Sequence, residues 1–401
     1  MGQKAYRYII VGGGLAGGSA VEGVRERDAN GPILLIGGER HLPYDRPPLT
    51  KKLWFGKKEV KDIFLHDQAF YADRGVDLAL GTVVAGLNPG AKLIEDTAGN
   101  TCRYDKLLLA TGGTPRKLDV LGADLHGICY FRYLDDYLAT RGKAQPGATA
   151  VVIGGGFIGS EIAAALNINR VEVTMVYPGP YLVSRVFPEY LGRALEELYR
   201  SRGVVIEAGE SVIAIERRGD KLGTQTRGGK RLESDILIAG IGISPAVELA
   251  QSGGLQIENG IVVNEMLQTS SPEIYAAGDN ANFPYQALGR RMRIEHWDNA
   301  VNQGRHAGRN MAGAGEPFTY MPYFFSDLFE FGYEAVGDVD GRLETFADWQ
   351  KENDTGVIYY LEGEKVRGAM MCNVWEKVED ARRLIKQGAR MAPEDLRGAI
   401  Q

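Results

Sequence analysis

The stretch Val151-Val152-Ile153-Gly154-Gly155-Gly156-Phe157-Ile158-Gly159 decides the fold, because the chain carries the same pattern once before it. The earlier copy is Tyr8-Ile9-Ile10-Val11-Gly12-Gly13-Gly14-Leu15-Ala16-Gly17. In both, a short apolar strand runs into Gly-x-Gly-x-x-Gly and then into a helical pattern. The first glycine (Gly12, Gly154) permits a tight turn. The second (Gly14, Gly156) lets a pyrophosphate approach the backbone, and the third (Gly17, Gly159) lets helix and strand pack. The N–H groups and dipole at the helix start then face the phosphates. One such fingerprint is weak, since a tight turn in an unrelated α/β domain writes it too. Two, each between strand and helix, imply two dinucleotides bound side by side. That pairing reads as a flavoprotein that takes hydride from a nicotinamide.

Working outward, Tyr6 to Val11, Leu15 to about Arg27 and Ile33 to Ile36 form a βαβ unit. Residues 151 to 176 repeat it, with Val171 to Val176 as the second strand. Leu107 to Ala110 is a buried strand ending in Thr111-Gly112-Gly113, and Pro115 marks the exit into a second domain. Ile236 to Ala239 is a strand leading to Gly240-Ile241-Gly242, and Ser244-Pro245 reads as the return. Ile274 to Ala277 is a strand ending in Gly278-Asp279, which is expected to precede a helix. Arg293 to Met311 is helix-like. After Pro317, aromatic alternation such as Val357-Ile358-Tyr359-Tyr360 predicts an antiparallel sheet, closed by a helix over Val378 to Gln387. The expected class is α/β, with two Rossmann-like dinucleotide domains of glutathione-reductase type and a C-terminal α+β sheet domain. The expected boundaries are 1–114 with 245–316 for FAD, 115–244 for NAD(P)H, and 317–401 for the sheet domain.

Composition narrows the partners. The 401 residues suffice for two or three domains, and 44% apolar with 24% charged residues is ordinary for a globular protein. A net charge of −6 gives no reason to expect nucleic acid as the main partner. No apolar run reaches bilayer length, and the first strand begins too near Met1 to leave room for a targeting peptide, so a cytoplasmic location is expected. Cys102, Cys129 and Cys372 are widely spaced, which fits a reducing compartment and offers neither Cys-x-x-Cys nor a metal cluster. His41, His66, His126, His296 and His306 also lack metal-ligand spacing, so no metal site is assigned.

The first fingerprint is expected to hold FAD through Gly12, Gly14, Leu15, Ala16 and Gly17. Glu39, just past the second strand, is placed to accept from ribose hydroxyls. Ala110, Thr111 and Gly112 end the neighbouring strand. Gly278 and Asp279 either contact the flavin's pyrophosphate and ribityl chain or form a plain helix cap. The second fingerprint, Gly154, Gly156, Phe157, Ile158 and Gly159, is expected to hold the nicotinamide cofactor, with Gly242 nearby. At the end of its second strand an acid favours NADH and a basic residue NADPH; here Tyr177 stands, followed by Pro178-Gly179-Pro180. Lack of a basic clamp tips the reading toward NADH.

Several longer stretches carry a resemblance. Gly154-Gly155-Gly156-Phe157-Ile158-Gly159-Ser160-Glu161, Tyr44-Asp45-Arg46-Pro47-Pro48-Leu49-Thr50-Lys51 and Ala110-Thr111-Gly112-Gly113-Thr114-Pro115-Arg116 are three of them. Arg293-Ile294-Glu295-His296-Trp297-Asp298-Asn299-Ala300-Val301, Ser326-Asp327-Leu328 and Gly332-Tyr333-Glu334-Ala335-Val336-Gly337 continue it. Together they resemble the apoptosis-inducing factor family and, more loosely, the NADH-dependent ferredoxin reductases of oxygenase systems. The resemblance implies an ion pair between Lys51 and Glu161 beside the flavin ring, the pair assigned as catalytic. A lysine there would favour the anionic reduced ring, and the carboxylate makes its burial tolerable. From the residues alone Lys51, next to Lys52, reads equally as a solvated loop lysine. Arg46, Val83, Glu295, His296 and Trp297 join the expected cofactor contacts, although a His beside a Trp is often simply a packed interior residue. Phe325 stands where the family commonly has Trp at the flavin face, keeping an aromatic surface without the indole donor.

The resulting expectation is an FAD-dependent NAD(P)H oxidoreductase. Two acceptor classes stay open: a ferredoxin-type carrier, or oxygen, quinone or a dye with an NADH-gated conformational or homodimer change. A flavin held only for structure is a third reading. The stretch Tyr44 to Lys51 has no Cys, which disfavours a dithiol relay. Arg290, Arg291 and Arg293 either dock an acidic carrier or form a solvated turn.

Overall fold

Tyr8, Ile9, Ile10 and Val11 are all buried, so the strand Lys4–Val11 ends as a continuous apolar run with both faces covered. In the computed structural model, which describes residues 4–400, the chain divides into two units. The first comprises the chain up to Asp45, Val60–Thr114 and Ser244–Pro322. The second comprises Arg46–Glu59, Pro115–Ile243 and the chain from Tyr323 onward.

In the first unit Lys4–Val11 is the centre of a parallel sheet. It pairs with Ile33–Gly37 on one side, Tyr8 opposite Ile33, and with Thr101–Leu109 on the other, Val11 opposite Leu109. Val76–Leu80 extends the sheet beyond Ile33–Gly37, and Ile274–Ala276 pairs with Thr101–Leu109. An antiparallel pair, Val84–Asn88 and Leu93–Asp96, also joins Thr101–Leu109. The helix Leu15–Arg25 is the crossover between the first two strands.

That helix lies against Trp297–Met311 through its backbone. A Cβ on Gly304 would sit 2.2 Å from the Ala16 carbonyl oxygen, and one on Gly308 2.2 Å from that of Ala20. On the opposing helix, a Cβ on Gly23 would lie 1.9 Å from the Arg305 carbonyl oxygen. Three glycines thus let two helices meet closer than any side chain allows.

The second unit repeats the pattern. Thr149–Ile153 lies between Glu172–Tyr177 and Ile236–Ala239, with Val205–Ala208 and Ile128–Cys129 at the edges, all parallel. Val151, Ile153, Val176 and Leu237 pack with Val212, Ile215 and Leu222 from an antiparallel three-stranded sheet. The C-terminal strands form an antiparallel sheet in the order Tyr323–Leu328, Phe331–Gly337, Lys365–Cys372, Thr355–Glu362, Glu344–Lys351. The helix Val378–Gln387 lies on its second and third strands and ends at Gly388, where φ is +57°.

Two local expectations are corrected. Gly278-Asp279 leads into the strand Ala281–Tyr285 and not into a helix, so the helix-cap reading falls. The helix expected from Arg293 begins at Trp297, with His296 extended before it. Side-chain bonds hold the preceding residues out of helical geometry: the Arg293 guanidinium donates to the Asp279 carbonyl at 2.9 Å, and Asn299 Nδ2 donates to the Ile294 carbonyl at 2.9 Å.

The glycine seam gives a direct test. Gly308→Ala places a methyl against backbone that cannot rotate away, and overpacking of this kind costs about 1–3 kcal/mol. Equilibrium urea unfolding is expected to show that loss, while Gly313→Ala, at a site with no atom near its Cβ, is expected to show a smaller one set by its φ of +92°.

Candidate functional site

The first fingerprint forms an anion cradle inside the first unit. Gly12 has φ +134°, and a Cβ on it would lie 2.0 Å from the Ala110 carbonyl oxygen, so the turn requires glycine. Gly14 is the N-cap of Leu15–Arg25, and no side chain caps that helix start. The first-turn N–H groups therefore await an external acceptor, which is the donor set a pyrophosphate fits. Leu15 and Ala16 are buried behind it, and Gly17 packs on the Gly12 carbonyl. Gly278 meets the same helix, its Cβ position 3.1 Å from that of Ala16. Thr111 accepts from Asn280 Nδ2 at 2.9 Å and donates to the Ala246 carbonyl at 2.7 Å, while the Gly112 carbonyl accepts from the Ala246 N–H. Glu39 accepts from the Tyr44 hydroxyl at 2.6 Å. Val83 is 53% exposed and lies over Gly38, its Cγ2 3.8 Å from the Cβ position there, one residue from Glu39.

Trp297 Nε1 donates to Asp45 at 2.8 Å, anchoring the start of its helix. Glu295 pairs with Arg293. His296 loses its ordinary basicity: burial pushes it from 6.5 to about 4, against the pull of the Asp279 carboxylate. Of the three clustered arginines, Arg290 and Arg291 are exposed, as a solvated turn would have them. Arg291 donates to the carbonyls of Val263 and Asn282, and Arg293 to that of Asp279.

The second fingerprint repeats the cradle inside the second unit. Gly154 has φ +120°, and a Cβ there would meet the Gly240 carbonyl oxygen at 2.3 Å. Gly156 is the N-cap of Phe157–Ile168, again without a side-chain cap, and no atom lies within 4 Å of its Cβ position. Gly242 is equally open. Ile158 is exposed at this helix start, Gly159 is buried, and Phe157 meets Phe324 edge-on with ring centroids 5.6 Å apart. Tyr177 is not brought to this surface. Its ring lies beneath Gly155, whose Cβ would fall 2.7 Å from it, and its hydroxyl donates to the buried Glu196 carboxylate at 2.6 Å. Burial pushes that hydroxyl well up, and Glu196 adds to the effect.

Within the same unit Glu161 gathers three donors. Lys51 Nζ lies 2.6 Å from its Oε1, the Ser326 hydroxyl donates to Oε1 at 2.6 Å, and the Thr50 hydroxyl donates to Oε2 at 2.5 Å. Lys51 and Glu161 are 4% and 5% exposed, so the pair is shielded from solvent. The short turn Pro47–Thr50 delivers Thr50 and Lys51 together, and Arg46 ahead of it donates to the Arg132 carbonyl at 2.9 Å. The Lys51 ammonium also sits 5.6 Å from the ring centroid of Phe325, which stacks on Tyr323. Sequence reasoning found the ion pair through the resemblance but missed Thr50 and Ser326 as ligands of its carboxylate. Both hydroxyls sat inside quoted stretches; nothing in the spacing said which way they turn.

Residues 6–304 match the family model of pyridine nucleotide-disulphide oxidoreductases, and residues 307–355 that of the C-terminal region of mitochondrion-associated apoptosis-inducing factor. The chain belongs to the pyridine nucleotide-disulphide oxidoreductase family. It is 34% identical to monodehydroascorbate reductase 4, peroxisomal, of Arabidopsis thaliana, over 90% of this chain and 78% of that one. It is also 34% identical to the ferredoxin–NAD(+) reductase component of the anthranilate 1,2-dioxygenase system of Burkholderia cepacia, over 97% and 96%. The crystal structure of the covalent putidaredoxin reductase–putidaredoxin complex matches with TM-score 0.92 and 33% identity, over 97% and 95%. The chain is accordingly an FAD-dependent NAD(P)H oxidoreductase of the two-dinucleotide type. Unlike the disulphide reductases that lend the family its name, it holds its three cysteines free, and burial pushes the Cys129 thiol up to about 12. Among the described residues no group of side chains has metal-binding geometry, and no helix is long and apolar enough to cross a membrane.

Two outcomes follow for the stability of this oxidoreductase. Glu161→Gln leaves the buried Lys51 ammonium without its counter-charge, a loss of about 3–5 kcal/mol. Adding Lys51→Met to Glu161→Leu is expected to recover most of it in urea unfolding. His296 binds its proton less readily in the fold than at its ordinary 6.5, so stability rises with pH between about 4 and about 6.5. The contribution is fully present above that window and is lost as pH falls through it. In His296→Gln that part of the slope in unfolding free energy against pH is expected to vanish.

Proposed function

We propose that this oxidoreductase draws its electrons from NADH and delivers them to a small ferredoxin-type iron–sulfur carrier. The observation that carries the reading is the near-complete coverage, at 33–34% identity, of two proteins named as partners of such carriers. The chain's own features support it. No cysteine pair is present to relay electrons to a disulphide. No basic side chain stands at the end of Glu172–Tyr177, where a 2′-phosphate would need one.

When bound, the nicotinamide would supply a hydride and the flavin would accept it and pass electrons onward. The residues have four tasks in this reading. The two helix starts at Gly14 and Gly156 bind the pyrophosphates, so 1–114 with 245–316 serves FAD and 115–244 serves NADH. The Lys51 charge would favour the anionic reduced form of a flavin beside it and raise its potential. Glu161, with Thr50 and Ser326, holds that ammonium in one place. Phe325 and Tyr323, in the sheet domain 317–401, offer an aromatic ledge beside Lys51. A cytoplasmic location belongs to the same proposal. The match of residues 307–355 to apoptosis-inducing factor favours a second reading, an NADH-gated interaction protein that reoxidises slowly with oxygen or quinone.

Anaerobic stopped-flow on the purified yellow protein separates them. The expected result is faster flavin bleaching by NADH than by NADPH, then rapid reoxidation by an oxidised ferredoxin. A long-lived charge-transfer band with slow reoxidation would favour the second reading, and no bleaching would sink both. Lys51→Ala is expected to slow flavin reduction at least tenfold and to lower the flavin potential.

A further inference from the structure

Three side-chain amides of the first unit are fully buried, and each has one end satisfied and one end without a protein partner. Asn280 Nδ2 donates to the Leu109 carbonyl at 3.1 Å and to the Thr111 hydroxyl at 2.9 Å, but its Oδ1 makes no hydrogen bond. Asn299 Nδ2 donates to the Ile294 carbonyl at 2.9 Å, and its Oδ1 is unpaired. Gln303 Oε1 accepts the Gly278 N–H at 3.0 Å, and its Nε2 is unpaired. All three side chains are 0% exposed. Rotating any amide by half a turn cannot cure this. A carbonyl must face Asn280 Nδ2 and Asn299 Nδ2, and an N–H must face Gln303 Oε1, so each flip would break a bond already made.

The three residues are neighbours at one junction. Asn299 and Gln303 are i and i+4, on one face of Trp297–Met311. Gln303 grips Gly278, two residues from Asn280, and the Cβ position of Gly278 lies 3.9 Å from that of Ala300, beside Asn299. An orphaned buried polar atom costs about 1–3 kcal/mol, and three at one junction are not left unpaired in a stable fold.

We propose that this junction is a built site for a single ordered water molecule, which braces the Gly278–Asp279 turn against the helix Trp297–Met311. The inventory of donors and acceptors selects the ligand. The site needs a group that donates twice, to Asn280 Oδ1 and Asn299 Oδ1, and accepts once, from Gln303 Nε2. Water does all three, matching the usual three bonds of a buried water. A sugar hydroxyl donates only once. A phosphate oxygen donates to neither carbonyl, an ammonium cannot accept from Nε2, and a metal cation would be repelled by it. The water would tie Asn280, next to Asp279, to the helix, making Asn299 and Gln303 positioning residues for that turn. The site is independent of which acceptor the oxidoreductase serves.

High-resolution crystal structures of the FAD-loaded enzyme and of its flavin-stripped apoprotein test this. The expected result is one water in both, within hydrogen-bonding distance of Asn280 Oδ1, Asn299 Oδ1 and Gln303 Nε2. Density present only with FAD, and continuous with its ribityl chain, would assign the site to a cofactor hydroxyl and overturn the water. So would the three amide ends bonded to one another with nothing between them. A double-mutant cycle on the apoprotein gives a second readout. Asn299→Leu and Gln303→Met are each expected to lower the urea midpoint, and the double variant to fall no further than the worse single one. Additive losses would show that the two residues share no ligand.

Discussion

The second unit depends on how one buried carboxylate is satisfied. Glu161 lies in the first turns of a helix and accepts from Lys51, Thr50 and Ser326. Those three donors come from stretches far apart in the chain, the turn after Arg46 and the first strand of the C-terminal sheet. A lone ion in that setting would be costly, and a lone ion pair would still leave lone pairs unmet. The hydroxyls complete the set, so the ammonium has one place to be. These contacts link Arg46–Glu59 and the residues from Tyr323 onward to Pro115–Ile243, with which they share a unit.

Both glycine fingerprints rest on the same geometric device. A glycine turn lets the backbone of one strand end touch that of its neighbour: Gly12 on Ala110, Gly154 on Gly240. The helix that follows then starts with no side chain across its N-terminus. Capping residues are the usual remedy for that deficit, and their omission at both sites leaves the helix start to a ligand.

Much of this was legible in the chain. The strand Ile236–Ala239 and the helix Val378–Gln387 were bounded as observed, because an apolar run and an amphipathic repeat each had clear punctuation. Both fingerprints could be read because their chemistry is local. The misreadings share a different cause. Gly278-Asp279 looked like a helix cap, yet the chain continues as a strand that pairs with Arg290–Met292. The carbonyl partners of Arg291 and Arg293, on Asn282 and Asp279, were equally invisible in the spacing. The partners of Glu161 and the amide cluster around Gly278 are likewise long-range. Composition and spacing report which groups are available; only the tertiary path reports which groups meet.

Tyr177 occupies the position at which this kind of nucleotide fold usually reads the adenosine ribose, and it has been turned inward to support Gly155 and engage Glu196. Replacing the tyrosine would take away both the ring under Gly155 and the donor to Glu196, so this side chain serves as the floor of the turn above it.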